Sequence, residues 1–435
     1  MKILKIFSAL LAAAAVMTAA SSCLPEKTGD HGNDDYETLL DYGKVNVNDP
    51  AVRLSANAGM TDFDSEFIRF MTTVDYANKD FMISPLSLKY ALALAAAGAN
   101  GATRDQILNA LGVSSLEELE RWTDRVKKYT ESFYDGYERE LKSYGENDIK
   151  PKRAFDVANS AWVNRDKGAD FKQQYAEYVR EKFGAEVFSE KSTDLKDRVN
   201  SWVNDKTKGL IPNLVDDGVE DSVAVLVNTL YLMDGWAEGF SEKNTVEGYF
   251  RCADGTIKNV YYLRQTENFL FYCDSETELV VIPMKHGIDM VFVLGSTAGL
   301  TEKIGKAQKT TVNVSIPKFE TETELGQDRD DEMIIRFLKG LGITDAFGDR
   351  ADFSTMLDGG SVYIDKIIQK TKISVDEQGV EAAAATALIF MKGLPKYGEP
   401  VDFRLDRPFS YGIYYSESRV SPDELLFFGQ YTGVE

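Results

Sequence analysis

EQGVEAAAAT, residues Glu377 to Thr386, is the stretch on which the reading of this chain turns. Alanine favours helix, yet the run follows a strand-like segment, Lys372 to Asp376, and precedes a Gly/Pro-rich stretch, Gly393 to Pro400. Helix propensity is therefore contested. Every second residue from Val380 gives Val380, Ala382, Ala384, Thr386, Leu388 and Phe390, a face without charge and small over most of its length, while Glu381 lies on the other face. Alternation of period two belongs to a strand. Small uncharged groups on one face suit a strand that slides into an already packed sheet, where bulk clashes and charge is costly to bury.

Around this run the composition is that of an ordinary globular protein: 435 residues, 43% apolar and 11% aromatic, enough for a sizeable core. Met1 to Ser22 carries Lys2 and Lys5, an apolar stretch from Ile6 to about Ala20 and then small residues, the layout of a secretory signal and too short to span a membrane. Ala20, Ser21, Ser22, Cys23 resembles a bacterial lipobox, with Cys23 as the acylated residue; a plain signal peptide cut nearby is the alternative. Residues 23–50 read as an acidic tether and 51–435 as a single domain. Seventy acidic against 49 basic residues give a formal charge of −21, which argues against nucleic acid and against anionic lipid except through an acyl anchor. Cys252 and Cys273 either pair in an exported protein or remain as buried thiols.

The front half reads as helix-rich. Leu86 to Ala99 follows Ser84 and Pro85, a cap and first turn, and Asp170 to Phe183 and Asp194 to Thr207 also carry helical spacing. Strand-like runs follow at Ser222 to Leu232, Phe269 to Tyr272, Leu279 to Pro283, Met290 to Leu294, Thr311 to Ile316, Ile364 to Val375 and Leu425 to Tyr431, with one more helix at Glu332 to Leu341. The expected class is α+β with large sheets.

Seven motifs in order carry a resemblance to a known family: FMISPLSLKY (Phe81 to Tyr90), VNSWVNDKTKGL (Val199 to Leu210), VNTLYLMDGW (Val227 to Trp236), GITDAFGDRAD (Gly342 to Asp352), the run EQGVEAAAAT, FRLDRPF (Phe403 to Phe409) and LLFFG (Leu425 to Gly429). From about residue 51 to its end the chain resembles a serpin, a serine protease inhibitor. The resemblance implies a large mixed central sheet, two further sheets, a helical N-terminal half and an exposed reactive loop at about 377–402. It implies a suicide-type inhibitor of serine or cysteine proteases, not an enzyme. In that family the loop is cut as bait, inserts as a strand into the central sheet and traps the acyl-enzyme. About 14 inserted residues would span about 46 Å.

Residue by residue, the hinge is matched by Glu377, Gly379, Val380, Glu381, Ala382, Ala383, Ala384, Ala385 and Thr386. Trp236 matches the tryptophan beneath the point where insertion begins. Ser84, Ser87 and Asn228 match a polar cluster under the sheet opening, with Gln369 where the family usually has histidine. An amide still donates and accepts, without the imidazole's response to pH. For the cleaved bond the usual loop length points to Gly393; Lys392 suits a trypsin-like pocket, Met391 is an apolar option, and Leu394 is followed by Pro395, which blocks cleavage. The implied partner is a trypsin-like or elastase-like serine protease held in a covalent complex, and the chain is expected to be a monomer with no cofactor or metal, exported to a bacterial cell envelope or beyond.

Two other readings compete. A hydrolase has little to work with: the histidines are His31, in the tether, and His286, and no GxSxG motif occurs. Ser315, Ile316, Pro317, Lys318 fits SxxK, but Pro317 in a strand-like run argues against the helix start that motif requires. No CxxC pair or histidine cluster offers a zinc site. The second keeps the fold and makes the chain a non-inhibitory serpin that binds or builds; the uncharged inward face from Val380 to Thr386 speaks for inhibition.

Overall fold

The computed structural model describes residues 60–73, 76–326, 333–358, 362–364, 366–380, 399–416 and 422–434. Cys23, residues Glu381 to Thr386 of the hinge and the bait candidates Met391, Lys392, Gly393 and Leu394 lie outside them.

The helices are α1 (Met60–Thr73), α2 (Pro85–Gly98), α3 (Gly101–Ala110), α4 (Leu116–Lys142), α5 (Gln173–Phe183), α6 (Ser192–Lys206), α7 (Leu300–Lys306) and α8 (Met333–Gly340). The strands begin with β1 (Phe81–Ile83), β2 (Ala154–Asn164), β3 (Asp170–Phe171), β4 (Ala185–Glu190), β5 (Ala224–Gly235), β6 (Val246–Arg251), β7 (Ile257–Cys273), β8 (Thr277–Pro283) and β9 (Ile288–Gly295). They continue with β10 (Gln308–Pro317), β11 (Phe319–Leu325), β12 (Leu357–Asp358), β13 (Gln369–Val375), β14 (Gly379–Val380), β15 (Val401–Arg404), β16 (Phe409–Tyr415) and β17 (Glu424–Tyr431).

A six-stranded mixed sheet in the order β11-β13-β14-β5-β2-β4 lies at the centre, beside a nine-stranded sheet and a two-stranded one, β12-β3. This is the α+β arrangement expected. Helix α2 forms the floor between the two large sheets, touching β5 and β17. Its sequence explains both its start and its burial. Ser84 caps it, accepting the Ser87 N–H at 3.1 Å, and Pro85 occupies the first turn, while its leucines and its alanines other than Ala91 are buried. Lys89 is the exception, fully buried yet ion-paired with Asp64 of α1 at 2.9 Å and Glu424 of β17 at 2.5 Å; Glu424 also accepts from Trp122 Nε1 of α4 at 3.0 Å. One cluster thus ties three helices to a strand.

Several boundaries differ from those expected. Helix α5 starts at Gln173, because Asp170–Phe171 pairs with Leu357–Asp358 as a short strand. The run expected from Ile364 to Val375 becomes strand only at Gln369. Before it the backbone is used elsewhere: the Ile364 N–H donates to Ala346 O, and Ile367 O sits 2.0 Å from where a Cβ on Gly326 would stand. The 27-residue α4 and the 11-residue β2 lie in a half that shows neither in its motifs. Cys252 is a free, buried thiol packed against Gly433, so it forms no bridge to Cys273, which stands half-buried at the end of β7.

Candidate functional site: the strand begun between β13 and β5

Between β13 and β5 the chain makes a tight turn and begins a new strand. Asp376 Oδ1 accepts the N–H groups of Gln378 at 2.7 Å and Gly379 at 3.3 Å, which closes the turn. Burial pushes the Asp376 carboxyl up, against the pull of those two backbone bonds. Gly379 then pairs with Gly235, and Val380 pairs with Asp234 on one side and Val375 on the other. Only glycine fits at 379: φ is +145°, and a Cβ would meet Asp234 O at 2.1 Å. Val380 is buried.

Trp236 holds this turn from beneath. Its indole Nε1 donates to Asp376 O at 2.8 Å, its backbone N–H donates to Gln378 O at 3.2 Å, and its ring meets Phe240 edge-on. Glu377 is tied outward, to Lys318 Nζ at 2.8 Å and Thr245 Oγ1 at 2.8 Å. Burial opposes ionisation of its carboxyl, but these partners prevail and hold it below the ordinary range. Lys318 is therefore an ion-pair partner at the end of a strand, not the base of an SxxK helix.

Among the described residues β13 and β5 are bridged only by these two residues of β14; no pairing joins them directly. Below Val380 lies a cavity of about 40 Å³ lined by Ser84, Ser87, Asn228, Leu230, Gln369 and Thr371. All four residues of the expected polar cluster thus meet at one place. Ser84 binds Gln369 at both ends of its amide: Oε1 accepts the Ser84 N–H at 3.0 Å and Nε2 donates to Ser84 O at 2.9 Å. Ser84 Oγ donates to Leu426 O at 2.9 Å. Asn228 turns away from Gln369 and donates from Nδ2 to Asn159 Oδ1 at 2.7 Å.

A second group was absent from the sequence reading. Asp234, fully buried at the end of β5, accepts from His286 Nδ1 at 2.7 Å, and His286 Nε2 faces Glu140 Oε2 at 3.4 Å. Arg153 and Lys285 also bind Glu140, at 3.2 and 2.7 Å. Both ring nitrogens face carboxylates, so the imidazole is committed to a charge cluster rather than to a nucleophile. Its members come from β5, the β8–β9 turn, the end of α4 and the residue before β2; of them the sequence singles out Asp234, within VNTLYLMDGW, and His286 as a histidine, without joining the two.

Fold and site together define an α+β protein in whose central sheet, among the described residues, β13 and β5 are joined only through Gly379 and Val380. A protein-family model described as "Serpin (serine protease inhibitor)" matches residues 58–433, and the chain belongs to the serpin family. Serpin-ZX of Arabidopsis thaliana is 30% identical over 370 residues, which cover 78% of this chain and 89% of that one. The leukocyte elastase inhibitor of Sus scrofa is 27% identical over 404 residues, covering 86% and 98%. Among solved structures, the native state of the thermophilic serpin Tengpin aligns with a TM-score of 0.67 at 27% identity, covering 90% of this chain and 96% of that one. A thyroxine-binding globulin complexed with thyroxine aligns at 0.66 and 21% identity, a likeness of fold alone.

Proposed function

We propose that the chain is a suicide-type inhibitor of serine or cysteine proteases. Its loop, at about 377–402, is cut between Met391 and Leu394, with Lys392 and Gly393 preferred, and then continues β14 downward between β13 and β5, carrying the acylated protease with it. The observation that supports this most is that Gly379 and Val380 pair between β13 and β5, which have no direct pairing of their own among the described residues. Every later inward residue up to Phe390 is uncharged. A trypsin-like enzyme is the first target class, through the ammonium of Lys392, and an elastase-like one the second. Export behind residues 1–22, lipid attachment at Cys23 in a bacterial envelope, and a monomeric state belong to the same proposal and rest on the sequence.

The second reading, a non-inhibitory serpin, is kept because the fold is also that of a thyroxine-binding globulin. Incubating the soluble protein with trypsin and with pancreatic elastase separates the two. We expect a covalent complex that survives detergent and boiling; turnover of the loop by both enzymes with no such complex would reject inhibition.

A further inference from the structure

We propose that His286 is a positioning residue: it clamps Asp234 and so holds the end of β5 in the place where Gly379 and Val380 pair with it. Its bearing on inhibition rests on the reading above; the clamp itself does not. Among the described residues β14 is carried mainly from the β5 side. There Gly379 pairs with Gly235 and Val380 with Asp234, and the N–H groups of Trp236 and Phe240 donate to Gln378 O and Glu377 O, each at 3.2 Å. Toward β13, Val380 pairs with Val375, and the Asp376 N–H donates to Gly379 O at 3.1 Å within the turn itself. Whatever steadies the end of β5 and the residues just after it therefore steadies the start of the new strand.

A carboxyl group buried at a strand end is costly unless its oxygens are bound, and one residue binds both oxygens of Asp234. Oδ1 accepts from His286 Nδ1 at 2.7 Å and Oδ2 accepts the His286 backbone N–H at 3.1 Å, while Gly235 N–H adds a bond to Oδ1 at 2.9 Å. The main chain beside His286 grips the same stretch: Lys285 N–H donates to Gly235 O and Ala237 N–H to Pro283 O, both at 2.9 Å, and Trp236 bridges Met284. Ladder bonds run across the strands, so they resist parting better than sliding; a side-chain clamp from the second sheet resists sliding. The imidazole has little room to turn away. Its ring meets Phe133 and Tyr137 edge-on, its Cδ2 lies 3.0 Å from where a Cβ on Gly136 would stand, and its Nε2 faces Glu140. Arg153, which also binds Glu140, closes over the strand end, since a Cβ on Gly235 would meet its Nη2 at 2.7 Å.

Amide hydrogen exchange on the full chain tests the clamp with three variants. His286→Asn puts an amide N–H where Nδ1 stands and gives up the reach to Glu140. His286→Gln reaches toward Glu140 and gives up Asp234. Asp234→Ala removes the buried carboxyl together with its bonds, so it folds without leaving a charge unpaired. We expect exchange at the Trp236 and Phe240 amides to rise about tenfold in the Gln and Ala proteins, as for the loss of one buried hydrogen bond, and less than about threefold in the Asn protein. The amides of β16 should keep their rates in all three. An equal rise in β16 would show a general loss of stability, and an unchanged rate in the Ala protein would show that Asp234 needs no clamp; either result overturns the proposal. Incubated with trypsin or elastase, the Gln and Ala proteins should also give more cut loop for each covalent complex formed. An unchanged ratio would remove the bearing on inhibition, whereas no complex even from the unaltered protein would reject inhibition and leave the exchange result standing.

Discussion

Gly379 is the residue with least freedom to change. Its φ of +145° is a conformation that side-chain-bearing residues adopt only under strain of about 1–3 kcal/mol, and the carbonyl of Asp234 occupies the space of a Cβ. Gly379→Ala should therefore displace Gly379 and Val380 from between β13 and β5 without unfolding the rest. Amide exchange at Trp236, whose N–H donates to Gln378 O, reports this, and an increase of ~10- to 100-fold is expected. Unchanged exchange would mean that β14 tolerates the methyl group. Motif matching finds Gly379, Trp236, Ser84 and Gln369, because each sits in a run of recognisable neighbours. It misses Asn159 and Glu140, and the partners of His286, because these lie far away in the chain. Nothing local distinguishes a glutamate that will meet Lys285 from one on a solvated helix face.

At the scale of elements, α1 and α2 are joined by a cluster that holds two carboxylates against one lysine. Burial raises the Asp64 carboxyl to about 7; Lys89 opposes the rise and Glu424 adds to it. An acid whose folded pKa exceeds its unfolded value of about 4 stabilises the fold most below that unfolded value, and loses the contribution as pH rises through the folded one. The docking of α1 should therefore weaken between about pH 4 and 7, by on the order of a few kcal/mol, with the titration belonging to the cluster as a whole. Asp64→Asn should flatten the pH dependence of urea unfolding across that range. An unchanged slope would show that the carboxyl ionises freely. Legibility also varies by element. Helix α2 was evident from its cap and apolar run, whereas α4 is rich in charge and buries only a narrow stripe, Leu119, Trp122, Val126 and Phe133 among it. The start of β13 was placed too early, since Ile364 and Ile367 look like strand residues but have backbone bonds and contacts outside the ladder.

For the whole molecule, β13 and β5 are joined among the described residues only through Gly379 and Val380, and on the proposed function a fold with the loop inserted between them gains hydrogen bonds. Each inserted residue adds ladder bonds worth ~1 kcal/mol apiece, on the order of 10 kcal/mol for the whole strand before packing. Cutting the loop after Phe390 should therefore raise the melting temperature by tens of degrees, since even 1 kcal/mol shifts a domain by a few degrees. A scan in which cut and intact protein melt together would show that no strand has been added. The order of strands within the sheets is not legible in the sequence, because alternation marks a strand without naming its neighbours.

The indole of Trp236 offers something of practical use. Trp122 and Trp162 are held by contacts remote from the hinge, Trp122 by Glu424 and Trp162 by Ser160 and Phe188. Trp236 donates to the carbonyl of Asp376, in the turn that leads into β14. Its near-ultraviolet emission is thus an intrinsic optical gauge of the turn, and with the other three tryptophans replaced by phenylalanine the first step of insertion could be timed in a stopped-flow cell without attaching any dye.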